Sequence, residues 1–324
     1  MQEILFITLT NVGDVILTLP VLNRLSQVLN QVNFTVLCGY RAAELFKEIP
    51  QVKHIIPYEK HKGFVYQMQI LQQLQKKRFD VVVDLRNSLF GWLIKAPKKT
   101  SPFLRIPKNI MHMSQRHLYK LSALGKEFFT EQESMQSKMP IFSEDDKEYV
   151  DKLLGQCQNT LKDILIAFAC GSRSSLKRWS SHNYAQLAER LTKKYNARII
   201  LIGDQQDIPI SAQVKQYSSV EFVDLTACTN LRQTAYLLSR CKVVVTNDSA
   251  ISHLASYLDL AVVTIFGPTS EQRYGPWSAQ SIVVKSQLQC RPCEKPFCPF
   301  QSQECLQRIT VDEVENAIRK LISN

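Results

Sequence analysis

VVVTNDSAISHLASYLDLAVVTIFGPT, residues 243–269, is a β-branched run, an amphipathic stretch and a second β-branched run in succession. The first run predicts a buried strand over 243–246 that ends at Asn247, Asp248 and Ser249. A helix follows over 252–258, then a strand over 261–266 and a turn at Gly267, Pro268 and Thr269. Strands alternating with helices in this way build parallel sheets covered by helices, so this stretch predicts an α/β fold. The backbone N–H groups at the start of the helix, around Ser249–Ile251, point to an anion site of the kind that holds phosphate. His253 lies one turn further along, where it can face the same ligand or serve only in packing.

The same alternation runs outward in both directions. Upstream, strands are expected over 164–169 and 197–202, with helices over 184–195 and 231–239. In the first half, strands over 4–9, 34–38 and 80–85 alternate with helices over 15–29 and 64–77, while 95–115 has no clear period and reads as a basic loop. A helix opens at Ser143, with acidic residues in its first turn where the helix dipole favours them. The polar residues 157–162 separate two similar halves, and the expected domains are 1–158 and 159–324. At 324 residues the chain has room for two domains. Two such halves place a cleft between them, with ligand residues just after the strands.

Composition narrows the function. Hydrophobic residues make up 45% and charged residues 21%, which fits a globular protein and excludes collagen-like, coiled-coil and low-complexity classes. A net charge of +11 favours anionic partners. Lys95, Lys98, Lys99, Arg105, Lys108 and Arg116 gather in the first half, suiting a phosphorylated glycolipid at an anionic membrane face or serving only as a solvated surface. No aromatic–basic repeat or nucleic-acid module appears, so nucleic acid is not an expected partner. No apolar run reaches the roughly 18–20 residues of a membrane span, and the first residues lack the basic start of a signal peptide, so a cytoplasmic protein is expected. Neither G-x-G-x-x-G nor G-x-x-x-x-G-K-[ST] occurs, which argues against a dinucleotide dehydrogenase and a P-loop NTPase.

Two further stretches carry candidate chemistry. In TNVGDVILTLP, Gly13 permits a tight turn and Asp14 stands at the start of a helix just after a strand. Asp14 is there either an N-cap or a base able to take a proton from a hydroxyl. GSRSSLKRWSSHNY, residues 171–184, follows a strand and combines Ser172, Ser174 and Ser175 with Arg173, Lys177 and Arg178, a set suited to gripping a diphosphate without a glycine cradle. Of nine cysteines, Cys38, Cys157, Cys170, Cys228 and Cys241 are dispersed, which argues against a secreted disulfide framework. Cys290, Cys293, Cys298 and Cys305 crowd together as C-x₂-C-x₄-C-x₆-C, a spacing compatible with structural zinc.

Taken together, GDVILTLPVL (13–22), FDVVVDLR (79–86), KRW (177–179), VDLTACTNL (223–231), NDSAISHLA (247–255) and FGPT (266–269) resemble glycosyltransferase family 9, the ADP-heptose:lipopolysaccharide heptosyltransferase type. The resemblance implies a GT-B fold, two Rossmann-like halves facing across a cleft, with acceptor in the first half and nucleotide-sugar donor in the second. It further implies inverting, metal-independent transfer of heptose from ADP-heptose onto a lipopolysaccharide core precursor, without a cofactor. On this resemblance Asp14 is the general base, and Ser174, Ser175, Lys177, Asp248, Ser249, Ala250 and His253 bind the donor. Ala250 stands where the family carries glycine, adding a methyl where the backbone approaches the diphosphate. Similar cysteine-rich ends recur in the family, so reduced thiols are preferred over zinc for Cys290, Cys293, Cys298 and Cys305. The expected location is the cytoplasm, or the cytoplasmic face of the inner membrane. A non-catalytic nucleotide-sugar-binding scaffold and a GT-B epimerase are the alternatives.

Overall fold

The structure is a computed structural model that describes residues 1–29, 31–129, 138–156 and 164–323. The chain divides into two compact units, Met1–Ile141 and Phe142–Asn324. The division falls earlier than the expected boundary at 158, which lies outside the described residues, as does Cys157.

In the first unit the chain runs through β1 (Gln2–Ile7), α1 (Val12–Ile16), α2 (Leu19–Val28), β2 (Val32–Gly39), β3 (Val52–Tyr58), α3 (Phe64–Gln75), β4 (Val81–Asp84), α4 (Leu89–Leu93), β5 (Lys98–Lys99) and α5 (Met113–Tyr119). Its five strands lie in the order β3-β2-β1-β4-β5, all parallel. The single helix expected over 15–29 is two helices. Pro20 has no N–H to continue the first ladder, and the Thr18 hydroxyl donates to the Val15 carbonyl at 2.6 Å, closing α1. The sequence reading passes over β3, whose Pro57 is tolerated because the strand lies at the sheet edge. The stretch 95–115 is mostly irregular as expected, apart from the two-residue edge strand β5 and the start of α5.

The second unit contains α6 (Glu144–Gln156), β6 (Ile164–Ala169), α7 (Ser181–Tyr195), β7 (Ala197–Leu201), α8 (Ile208–Gln216), β8 (Phe222–Asp224), α9 (Leu231–Ser239), β9 (Val243–Asn247), α10 (Ala250–Tyr257), β10 (Val262–Phe266), α11 (Glu271–Tyr274), β11 (Ser281–Lys285), α12 (Glu304–Gln307) and α13 (Val311–Ile322). Ser143 and Asp146 cap α6 reciprocally, each backbone N–H meeting the other's side chain at 3.0–3.2 Å. The same Asp146 pairs with Arg232 of α9 at 3.3 Å, and α6 packs on α9, which is why this helix belongs to the second unit.

The second sheet is also fully parallel, in the order β11-β10-β9-β6-β7-β8. Counted from β6, this is the 3-2-1-4-5-6 order of a Rossmann fold, in which the chain reverses direction across the sheet between the first and fourth strands. That switch point lies between β6 and β9. Its core packs Ile166, Phe168, Val243 and Val245 against Leu187, Leu191 and the α13 residues Val314, Ile318 and Leu321. Among the described residues no helix is long and apolar enough to cross a membrane.

Candidate active site

In a doubly wound sheet, ligands bind outside the carboxyl ends of the strands at the switch point. In the second unit this is where the loop after β6 meets the loop after β9. Asn247, at the end of β9 and fully buried, fastens the two. Its Nδ2 donates to the Cys170 and Gly171 carbonyls at 2.7 and 3.3 Å, and its Oδ1 accepts from the Trp179 backbone at 3.0 Å and the Tyr184 hydroxyl at 3.2 Å. Gly171 is needed there, because a Cβ would lie 1.9 Å from Asp207 Oδ1. The loop from Ser172 to Lys177 is thereby held against the start of α10.

Lys177 reaches across this junction and donates to Asp248 Oδ2 at 2.7 Å. The same oxygen accepts from the Thr269 hydroxyl at 2.5 Å, and Ser172 Oγ donates to the Asp248 carbonyl at 3.3 Å. The Asp248 side chain is 3% exposed and that of Lys177 29% exposed, so the carboxylate is buried and its lysine partner is partly exposed. A buried carboxylate requires such partners. Ser249 is the N-cap of α10, accepting from the Ile251 N–H at 3.3 Å, so Asp248 is not the cap. Ser249 and Ala250 are half-buried at the helix N-terminus, Ser174 is half-buried and Ser175 exposed beside Lys177. His253 is buried one turn on, its ring stacked on Trp277 with centroids 6.0 Å apart. The structure therefore gathers Lys177, Asp248, Ser249 and Ala250 at one helix N-terminus, with Ser174 and Ser175 on the adjoining loop.

Thr269, Asn247 and Trp277 are contributors that the sequence reading did not single out. In the sequence Thr269 marks only the end of a turn. It reaches Asp248 because β10 pairs with β9 in the register Ile265↔Asn247, which carries the following turn beside the start of α10.

Asp14 belongs to the first unit, in the first turn of α1 just beyond the carboxyl end of β1. The N-cap of that helix is Asn11, so the capping reading of Asp14 is not what the geometry shows. Its half-exposed carboxylate accepts from Asn11 Nδ2 at 3.0 Å. At the same sheet edge Asp84 ends β4 and accepts from the Arg86 and Ser88 N–H groups at 2.9 and 2.6 Å. Burial raises its pKa from the usual carboxylate value, and these hydrogen bonds oppose the rise. Arg86 stacks on Tyr58 at 4.1 Å, and Lys120 donates to the Leu85 carbonyl and Asn87 Oδ1 at 2.8 and 2.9 Å.

Cys290 is exposed, and Cys293, Cys298 and Cys305 are partly buried; all are free thiols. Among the described residues no group of three or more His, Cys, Asp or Glu side chains is arranged to hold a metal ion.

Two Rossmann-type units, the second with an anion-ready helix N-terminus at its switch point, make up the GT-B architecture. The model of glycosyltransferase family 9 (heptosyltransferase) matches residues 67–303, and the chain belongs to this family and is a glycosyltransferase. It is similar to lipooligosaccharide heptosyltransferase 2 of Campylobacter jejuni, 23% identical over 97% of both chains. Among solved structures it resembles a family 9 glycosyltransferase of Veillonella parvula (TM-score 0.86, 23% identity, 99% of this chain and 97% of that one). It also resembles the ADP-heptose lps heptosyltransferase II of Escherichia coli (TM-score 0.78, 21% identity, 100% and 99%).

Proposed function

We propose that the protein transfers heptose from ADP-heptose to a lipopolysaccharide core precursor, inverting the anomeric centre and without a metal ion. The observation that carries this reading is the Lys177–Asp248–Thr269 network at the start of α10. It holds an ammonium with spare N–H donors beside a helix N-terminus, two groups that together meet the charge growing on a departing diphosphate. Ser174 and Ser175 supply hydroxyls to nearby donor oxygens. Since its carboxylate is engaged by Lys177 and Thr269, Asp248 serves the donor chiefly by fixing Lys177. The buried His253 lies beneath the same site and contacts the donor from within α10.

In this reading the first unit binds the acceptor and the second binds the donor. Asp14 takes the proton of the acceptor hydroxyl. The resulting oxygen attacks the anomeric carbon opposite the C–O bond to the diphosphate, which breaks as the new glycosidic bond forms. The proton ends on Asp14 and the electron pair on the diphosphate. The acceptor is a phosphorylated glycolipid, met at the anionic cytoplasmic face of the inner membrane. The support is the family membership, the full-length likeness to heptosyltransferases and the basic charge of the first half.

Incubation with ADP-heptose and a core acceptor, followed by mass spectrometry and nuclear magnetic resonance of the product, tests the reading. One added heptose whose anomeric configuration is opposite to the donor's is the expected result. Retained configuration, or hydrolysis of the donor without transfer, contradicts it.

A further inference from the structure

The segment that follows β11, residues 286–294, takes every backbone carbonyl of the turn formed by Gly267, Pro268 and Thr269. Arg291 Nε donates to the Gly267 carbonyl at 2.5 Å and Arg291 Nη2 to the Thr269 carbonyl at 3.4 Å. Between them the Glu294 N–H donates to the Pro268 carbonyl at 3.0 Å. Arg291 Nη1 donates to the Ser286 carbonyl at 3.2 Å, which ties the guanidinium to its own segment. The Arg291 side chain is 6% exposed and pairs with Glu271 of α11 at 3.5 Å, and Glu271 pairs in turn with Lys285 at the end of β11. A charge so deeply buried needs partners of this kind, and the planar fork of a guanidinium is the group that meets several fixed carbonyls at once.

The same turn has little room elsewhere. A Cβ at Gly267 would lie 2.9 Å from Leu306 Cγ of α12 and 3.2 Å from the Leu176 carbonyl. Leu176 precedes Lys177, and Thr269 ends the turn with its hydroxyl on Asp248 Oδ2, the oxygen that Lys177 also holds. The turn therefore carries Arg291 on its backbone and Asp248 on its last side chain.

We propose that Arg291 is a positioning residue of the donor site. By holding the Gly267 and Thr269 carbonyls it fixes the turn so that the Thr269 hydroxyl meets Asp248, which in turn keeps Lys177 in place for the donor diphosphate. The proposal rests on the donor reading of the Lys177–Asp248–Thr269 network. Arg291 acts through Thr269 and not by touching the donor. Lysine is no substitute, because an ammonium on a flexible stem lacks the fork that spans two carbonyls.

Calorimetry of ADP binding to the full-length wild type, Arg291→Lys, Thr269→Val and the double variant tests this. Arg291→Lys keeps the positive charge beside Glu271. It is expected to weaken ADP binding about threefold to tenfold in the wild-type background. In the Thr269→Val background the same change is expected to cost less than about twofold, because no hydroxyl remains to be positioned. A purely structural role would lower the melting temperature and either leave ADP affinity unchanged or reduce it by the same factor in both backgrounds. Either of those affinity results overturns the proposal. Should Arg291→Lys not fold, Arg291→Gln, which keeps a single amide group as donor, enters the same cycle with the same outcomes. No ADP binding by the wild type contradicts the donor-site reading itself, and the proposal with it.

Discussion

Asn11, not Asp14, occupies the N-cap of α1, and this makes Asp14 a sharp probe of mechanism. Asp14→Asn keeps the shape of the side chain and removes the basic carboxylate. Turnover is expected to fall about 10²–10⁴-fold, the usual contribution of a general base, with melting temperature and nucleotide affinity nearly unchanged. At the donor end, Lys177→Ala removes a charge-assisted contact worth roughly 1.5–3 kcal/mol and leaves Asp248 buried with one fewer partner. Calorimetry should show nucleotide affinity falling by about tenfold to a hundredfold. Thr269→Val should weaken it less, by about threefold to tenfold, because it removes only the hydroxyl that steadies Asp248. Thr269→Ser should restore it, and unchanged affinity in Thr269→Val would separate Thr269 from the site. The residue types at 171–178 and 247–250 announce an anion site, but the mutual engagement of Lys177 and Asp248 was not legible. It spans 71 positions and arises only when β6 and β9 become neighbours.

Helices and strands differ in how plainly they show themselves. The β-branched runs of β6, β7, β9 and β10 lie in the interior of their sheet and are read almost to the residue, because a strand covered on both faces is apolar throughout. The edge strands β3, β5, β8 and β11 bury less and carry a weaker pattern. The amphipathic α13 was also passed over, although Thr310 and Glu313 form a capping box at its start and its apolar stripe closes the second core. Thr310→Ala should cost about 0.5–2 kcal/mol of stability in denaturant unfolding and leave nucleotide affinity unchanged. In α5, buried His117 is pushed down to about 3 by desolvation first and by Lys120, Arg116 and His112 after it. An unfolded chain takes up that proton near 6.5, so the stability tied to neutral His117 is present above about 6.5 and lost as pH falls toward 3. Carboxylates titrate in the same window, and comparison with His117→Gln removes their share. The wild type should lose more stability than the variant between pH 6.5 and 4, and parallel pH profiles would contradict the assignment.

At the scale of the whole molecule, two similar α/β halves with parallel sheets, each with candidate residues just after its strands, are legible from the alternation of runs along the chain, whereas the 3-2-1-4 strand order shared by the two sheets shows only in the fold. The division between the units was read too late, because α6 precedes the polar stretch at 157–162 yet packs with α9. The proposed transfer asks each unit for a different contribution, a base from the first and a held diphosphate from the second. Binding of nucleotide alone therefore tests only the second. The most direct test of the account is the mass of a lipopolysaccharide core acceptor after incubation with ADP-heptose and either wild-type protein or Asp14→Asn. The account predicts one added heptose with the wild type and almost none with a variant that still binds nucleotide. An unextended acceptor with the wild type, or equal extension by both proteins, would contradict it.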